Sequence, residues 1–193
     1  MTSPTTNITP VAKKKLGWVA YLIVIVLPFI IVIVLRSFLL GNYYIPSGSM
    51  ENTLQIGDRM LVSLPDRANP QHGDIVVFKD NLNWLDSQYP TNDQYLVKRV
   101  IGLGGDTVYS DGKHVYVNGK ALNEPYVVGT TTAFSKQKVP QGKFFALGDN
   151  RENSADSRAH IATGTQFISV NAIVGKAWLR YWPLNKLGTI PNG

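Results

Sequence analysis

The chain has 193 residues, a length that fits one domain plus an anchor segment. It contains no cysteine, which excludes disulfides, catalytic thiols and cysteine-based metal sites. The net charge of +6 is not arranged as a basic stripe with interleaved aromatic residues, so nucleic acid is not an expected partner.

The first part of the chain is predicted to be a tail followed by a transmembrane anchor. Residues 1–15 form the tail, which is rich in Ser, Thr, Asn and Pro at its start. Residues 16–35 carry no charge, and a helix of that length spans about 30 Å, close to the hydrocarbon thickness of a bilayer. Trp18 and Tyr21 are expected at one membrane interface and Arg36 at the other.

Charge asymmetry predicts the orientation of this anchor. Lys13, Lys14 and Lys15 directly precede the apolar run, and the positive-inside tendency places them in the cytoplasm. Residues 36–193 are then an extracytoplasmic domain on a single-pass protein of the cell membrane, with membrane lipid as a partner. The alternative is a cleavable signal peptide, but its apolar region is usually shorter and no Ala-x-Ala site follows.

Beyond the anchor the pattern is typical of a mainly β domain with antiparallel strands. Short runs rich in Val, Ile, Tyr and Phe alternate with Gly, Asn and Asp. We expect strands at residues 59–62, 74–78, 95–101, 107–109, 114–117, 144–147 and 173–180. Asp111-Gly112 and Asn118-Gly119 predict two-residue hairpin turns. Residues 81–93 are predicted to be a surface excursion, in which Trp84 covers the core or touches lipid.

A serine in a small-residue segment is the first candidate for chemistry. Residues 43–50 read YYIPSGSM, and Pro46 and Gly48 would fix a bend that leaves the Ser49 hydroxyl open to a substrate carbonyl. Serine is a poor nucleophile at its own pKa and needs a neighbouring base. An ordinary polar turn is the alternative interpretation of this segment.

Lys98 supplies a candidate base within the apolar run at residues 95–101. Alternation alone does not decide whether Lys98 or Arg99 faces the core. A lysine on the solvent side of a strand is the alternative. A desolvated lysine has a lowered pKa and can accept the serine proton, whereas Arg99 stays charged.

A polar loop at residues 148–158 (GDNRENSADSR) could support such a site. A calcium loop would need Gly at its sixth position and Glu at its twelfth, but Ser154 and His160 stand there, so no metal or other cofactor is expected. His72, His114 and His160 have no ligand-like spacing, and nothing selects His160 for a Ser-His-Asp triad.

Together these segments resemble the bacterial type I signal peptidases, membrane-bound Ser-Lys proteases with a coiled antiparallel β-sheet domain. The resemblance runs in order through residues 45–50, 73–78, 97–106 and 148–158, and the last segment is nearly identical to the family signature. Two positions depart from the family pattern, because Asn52 and Gly104 stand where prolines are common. Glu51 also brings a carboxylate close to Ser49, with a possible effect on Lys98 ionisation or substrate preference.

The resemblance implies a role for each matching residue. Ser49 is the expected nucleophile and Lys98 the general base, while the Ser47 hydroxyl and the Ser49 N–H form the oxyanion hole. Ser154 is expected to hydrogen-bond Lys98. The remaining implied positions are the ion-paired supports Asp149, Arg151, Asp156 and Arg158 and the substrate-binding residues Tyr43, Ile45, Met50, Leu54 and Val97.

The expected function is removal of signal peptides from exported preproteins after small residues in an Ala-x-Ala-like pattern. A non-catalytic relative that acts as an assembly chaperone is the alternative, but it would lack Ser49 or Lys98. A self-cleaving Ser-Lys regulator would need a DNA-binding helical domain before the site, and none precedes it.

Overall fold

The computed structural model describes residues 17–84 and 94–193, apart from the side chains of residues 35–38. The chain divides into two units, Met1–Ser37 and Phe38–Gly193. The predicted tail at residues 1–15, the role of Arg36 and most of the excursion at residues 81–93 lie outside the described residues. The predicted divisions at 1–15, 16–35 and 36–193 stay predictions.

An α-helix forms where the anchor is predicted. Helix α1 covers Trp18–Leu39 with Pro28 inside it, and its large apolar side chains from Trp18 to Val34 are largely exposed. Among the residues that the structure describes, no helix is long and apolar enough to cross a membrane. The transmembrane part of the fold prediction is therefore not confirmed.

The described residues of the second unit form two antiparallel sheets, which confirms the prediction of a mainly β fold. The larger sheet has the order β1-β2-β11-β3-β4-β9-β10, with β12 beside β11, and the smaller has the order β7-β6-β5-β8. The strands are β1 Leu40–Tyr44, β2 Arg59–Ser63, β3 Ile75–Lys79, β4 Tyr95–Leu103, β5 Thr107–Ser110, β6 Val115–Val117, β7 Lys120–Ala121, β8 Phe134–Lys138, β9 Lys143–Leu147, β10 Ile168–Ser169, β11 Ile173–Trp182 and β12 Gly188–Thr189.

One of the two predicted hairpin turns is confirmed and the other is longer than predicted. Asn118 and Gly119 both have positive φ (52° and 82°) between β6 and β7, as a two-residue turn requires. Between β5 and β6 the turn takes four residues, because Ser110 pairs with Val115. The Asp111 carboxylate accepts the N–H groups two and three residues on, which stabilises the longer turn.

The larger sheet is covered on both faces, and this decides the environment of its central strands. On β3, Val76 and Phe78 belong to one apolar cluster, while Ile75 and Val77 belong to another. The neighbouring β4 is buried on both faces from Lys98 to Gly102. Trp84 packs in the first of these clusters against the ring of Phe78, so it covers the core.

Candidate active site

Ser49 lies on a single 3₁₀ turn, Gly48–Met50, shortly after the end of β1. Backbone hydrogen bonds from Ile45 to Asp58 and from Gly57 to Ile45 hold the chain that leads into this turn. Ile45 and Met50 are buried on either side of it. These anchors leave Ser49 half-buried at the surface of the domain.

Lys98 lies in the middle of β4, paired with Val76 of β3, and only 3% of it is exposed. Its Nζ lies 2.6 Å from Oγ of Ser49, within hydrogen-bond distance. Burial lowers the pKa of Lys98 to about 8, and the negative charges of Asp156 and Asp149 only partly oppose this shift. The fold thus brings together the two residues that the sequence predicts as nucleophile and base.

This geometry permits proton transfer near neutral pH. With a pKa of about 8, roughly a tenth of Lys98 is the neutral amine at pH 7. A neutral amine can accept a proton from the serine hydroxyl at a heavy-atom distance of 2.6 Å. A charged lysine could not act in this way, so the lowered pKa that comes with burial is what makes Lys98 a candidate base.

The predicted supports on the polar loop are all ion-paired. Asp156 pairs with Arg158 at 2.8 Å, and both are nearly or fully buried. Asp156 also accepts the N–H of Gly148 at 3.0 Å, and Arg158 donates to the Arg151 carbonyl at 2.8 Å. These bonds close the loop on itself, and the charges of Asp156 and Arg158 act on Lys98.

Comparison with known proteins identifies the family of the chain. The family model for signal peptidase, peptidase S26, matches residues 18–182. The chain belongs to the signal peptidase family. A signal peptidase I from Leptolyngbya laminosa is 38% identical over 81% of this chain and 75% of its own length. Signal peptidase I T of Bacillus subtilis (strain 168) is 33% identical over 94% of this chain and 95% of its own length.

A crystal structure of a signal peptidase I from Enterococcus faecalis V583 is also similar. It shares 31% identity, covers 56% of this chain and 96% of its own, and superposes with a TM-score of 0.44. The family confirms the predicted activity, which is removal of signal peptides by a serine endopeptidase.

Ser154 of this signal peptidase does not occupy the predicted role. Its Oγ is buried and has no hydrogen-bond partner among the described residues, so the predicted bond to Lys98 is absent. The hydroxyl is turned toward Gly148, where a Cβ would lie only 2.2 Å from Oγ. Glycine at position 148 is what permits this close packing.

The five predicted substrate-binding residues differ in accessibility. Ile45, Met50 and Leu54 are at most 2% exposed and belong to the apolar cluster beneath the site. Tyr43 and Val97 are partly buried and pack on the outside of that cluster. Tyr43 and Val97 are therefore the two of the five that are partly accessible, whereas the other three lie within the core.

Sequence reasoning missed the role of Arg99, which is fully buried next to Lys98. Its guanidinium donates to both carboxylate oxygens of Asp149, at 2.8 and 2.7 Å, and to the Gly73 carbonyl at 2.8 Å. It also lies 3.8 Å from the ring centre of Tyr126. Asp149 is thus paired with the neighbour of the base. Arg151, which lies near Asp149 on the loop, pairs with Glu124.

The two departures from the family pattern have a backbone explanation. Asn52 has φ of 82°, a left-handed conformation that proline cannot adopt. The N–H of Thr53 donates to the Met50 carbonyl at 3.1 Å, as in a type II turn, which favours Asn or Gly at this place. At Gly104 a Cβ would lie 3.0 Å from Gln141, so a larger residue would need its neighbours to move.

Glu51 does not act on Lys98 as the sequence suggests. Its carboxylate accepts a hydrogen bond from Nδ2 of Asn150 at 3.0 Å. The charges that shift the pKa of Lys98 are those of Asp156, Asp149 and Arg158. Asn150 was also missed from the sequence, since its contacts lie about a hundred residues away along the chain.

Proposed function

We propose that this signal peptidase cleaves by an acyl-enzyme mechanism with Ser49 as nucleophile and Lys98 as general base. The observation that carries the proposal is the 2.6 Å approach of Nζ to Oγ, with a lysine that is buried and has a lowered pKa. Neutral Lys98 takes the hydroxyl proton as Ser49 Oγ attacks the scissile carbonyl. The resulting ammonium protonates the leaving amine, and the acyl group remains on Ser49.

Deacylation uses the same base. Lys98, neutral again, takes a proton from a water molecule, which attacks the ester carbonyl. The acyl–Oγ bond breaks, the proton returns to Ser49, and the carboxyl end of the signal peptide is released. The Ser47 hydroxyl and the Ser49 N–H stabilise the oxyanion in both steps, and Ser47 is exposed beside the nucleophile. Such a Ser-Lys pair is a variant of the serine triad.

We expect the substrate to bind as an added strand. In the part of the chain that the structure describes, β1 pairs with β2 alone and is therefore an edge strand of the larger sheet. An extended preprotein segment could add to such an edge through backbone hydrogen bonds. The preference for small residues before the cleaved bond rests on the family resemblance and on the buried floor of Ile45, Met50 and Leu54.

The location of the site is a second proposal, which rests on sequence. The uncharged run at residues 16–35 follows three lysines, which supports a cytoplasmic N-terminus and an extracytoplasmic peptidase domain. Ser49 lies thirteen residues past Arg36, so the two are at most about 47 Å apart along an extended chain. Protease protection of full-length chain in sealed vesicles tests this orientation: digestion of residues 36–193 from the cytoplasmic side would contradict it.

The catalytic proposal is tested by cleavage of an Ala-x-Ala preprotein with purified full-length chain in detergent, beside Ser49→Ala and Lys98→Met. We expect cleavage at the signal junction by the unmodified chain and by neither variant. Wild-type cleavage by both variants would show that Ser49 and Lys98 are not the nucleophile and the base. Folded but inactive protein in all three samples, across several precursors, would favour the chaperone alternative.

A further inference from the structure

The side chain of Asn150 holds the turn that carries Ser49. Its Nδ2 donates to the Gly48 carbonyl at 3.2 Å and to Oε2 of Glu51 at 3.0 Å, and its backbone N–H donates to the Ser49 carbonyl at 3.1 Å. Both partners of Nδ2 can only accept, which fixes the orientation of this buried amide. One residue therefore ties down two successive carbonyls of the nucleophile turn.

The Gly48 carbonyl matters because it shares a peptide plane with the Ser49 N–H. In a planar trans peptide the C=O and the N–H point in opposite directions. The carbonyl of Gly48 accepts from Asn150 Nδ2 and from the Glu51 N–H at 3.1 Å. Rotation of this peptide would break both bonds, so the two bonds also fix the direction of the Ser49 N–H.

Glu51 in turn orients the amide of Asn150. Its carboxylate lies against the open side of Gly48, where a Cβ would be only 2.8 Å from the carboxyl group. One N–H of Asn150 is taken by this carboxylate, so the other is directed at the Gly48 carbonyl. A hydrogen bond to a carboxylate is stronger than one between neutral groups, which favours a single orientation.

We propose that Asn150 and Glu51 are positioning residues that keep the Ser49 N–H directed at the oxyanion. The inference rests on the proposed function, because it assigns a direction to a group of that oxyanion hole. A rotated peptide would turn the Gly48 carbonyl toward the developing negative charge and remove a donor. Neither residue needs to touch the substrate for this role.

Steady-state kinetics of Asn150→Ala and Asn150→Asp test the role of the amide. Each variant removes the donor to the Gly48 carbonyl, and we expect kcat to fall about ten- to a hundredfold with KM changed less than about threefold. Asn153→Ala is the matched control, since Asn153 is an exposed asparagine on the same loop, and it should keep wild-type kcat. Unchanged kcat in a folded Asn150→Asp variant would overturn the inference.

A double-mutant cycle tests whether Glu51 acts through Asn150. We expect Glu51→Ala to lower kcat about three- to tenfold in the wild-type background and not at all in the Asn150→Ala background. Glu51→Gln keeps an acceptor oxygen and should retain most of the activity. Full additivity of the two alanine changes would show that Glu51 acts independently.

Two peptide inhibitors separate positioning of the oxyanion donor from substrate contact. A peptide aldehyde forms a tetrahedral adduct with Ser49, whereas the matching peptide alcohol only occupies the cleft. In Asn150→Ala we expect the Ki of the aldehyde to rise by the factor that kcat falls, with the Ki of the alcohol unchanged. An equal rise for both inhibitors would show that Asn150 contacts substrate and would contradict the proposal.

A measurement without turnover keeps this inference separate from the proposed function. In ¹⁵N-labelled full-length chain, Asn150→Ala should produce microsecond-to-millisecond exchange at the Ser49 amide, and Asn153→Ala should not. An inactive wild type would contradict the proposed function, while the exchange data would still judge whether Asn150 holds the peptide. A Ser49 amide as rigid in Asn150→Ala as in wild type would refute that claim.

Discussion

Lys98 and Arg99 are adjacent on β4 and both are buried basic residues, but the groups around their side chains differ. Burial lowers the pKa of Lys98 to about 8, and its Nζ lies beside the uncharged hydroxyl of Ser49. Arg99 is equally buried but donates to both oxygens of Asp149 and to the Gly73 carbonyl. Burial alone therefore does not decide the behaviour of a base.

The difference lies in what each cation has for partners. A buried charge is stable only when paired and hydrogen-bonded, and Arg99 has such partners. The carboxylates nearest to Lys98 are already engaged, Asp149 with Arg99 and Asp156 with Arg158. Their charges raise the pKa of Lys98 less than burial lowers it. One strand thus holds a paired cation, Arg99, beside an amine with a lowered pKa, Lys98.

Methionine should lower activity when it replaces Lys98 and stability when it replaces Arg99. We expect Lys98→Met to lower kcat/KM about a thousandfold or more, because the nucleophile loses its base. The melting temperature should stay the same or rise, since a desolvated amine is replaced by an apolar side chain of similar length. Preprotein cleavage and thermal unfolding in detergent measure both. A lower melting temperature would mean that Lys98 is also structural.

Arg99→Met should act mainly on stability. Asp149 would remain buried without its cation, and the loss of one partner of a buried pair destabilises by about 3–5 kcal/mol. Urea unfolding of the full-length chain, followed by tryptophan fluorescence, measures this change. Arg99→Met with Asp149→Leu removes both charges and should recover part of the loss. If Arg99→Met changes the free energy of unfolding by less than about 1 kcal/mol, Arg99 is not a structural cation and the contrast with Lys98 fails.

The pH profile tests the reactive side of the comparison. Because the proposed base is the neutral form of Lys98, we expect kcat/KM to rise tenfold per pH unit and to level off above about pH 8. Arg158 lowers the pKa of Lys98, so Arg158→Gln should move the rise to higher pH. Arg67→Gln, a change at an exposed arginine, should leave the profile in place. A profile flat from pH 6 to 9 would exclude Lys98 as the titrating base.

The smallest expected effect concerns the turn at Asn52, which precedes the hydrogen bond from Thr53 to the Asp149 partner of Arg99. Thr53 donates to Asp149 at 2.5 Å, and Asn52 before it has positive φ. We expect Asn52→Ala to destabilise by about 1 kcal/mol and Asn52→Gly by less, because glycine adopts this conformation freely. Neither change should shift the pH profile. Equal stability of the two variants, measured by urea unfolding, would show that backbone strain is not the cause.

Local sequence patterns predicted the elements that local chemistry determines. Every strand expected from alternating apolar residues is present, and Asn118-Gly119 forms its turn. Strands β1 and β8 were not predicted, because LGNYY and FSKQK lack alternation. They become strands by pairing with β2 and β5. Tertiary pairing overrides weak local preference at such places.

In the candidate site too, residues in short local segments were predictable and contacts between distant segments were not. Ser49 and Lys98 were singled out from short segments, and the structure brings them together, although their roles stay predictions. The sequence could not assign Lys98 and Arg99 to different partners, because both faces of β4 are covered. The contacts of Glu124 and Asn150 join distant segments, and a single sequence carries no local sign of them.

The spacing of these contacts along the chain has a consequence for when the site can form during synthesis. Ser49 is 49 residues from Lys98, Arg99 is 50 residues from Asp149, and Asn150 is 102 residues from Gly48. Contacts so far apart in sequence form late and make folding slow. A nascent chain therefore holds nucleophile, base and loop apart until the sheet closes. Any activity of the Ser49 and Lys98 pair therefore depends on completion of the sheet that brings the two residues together.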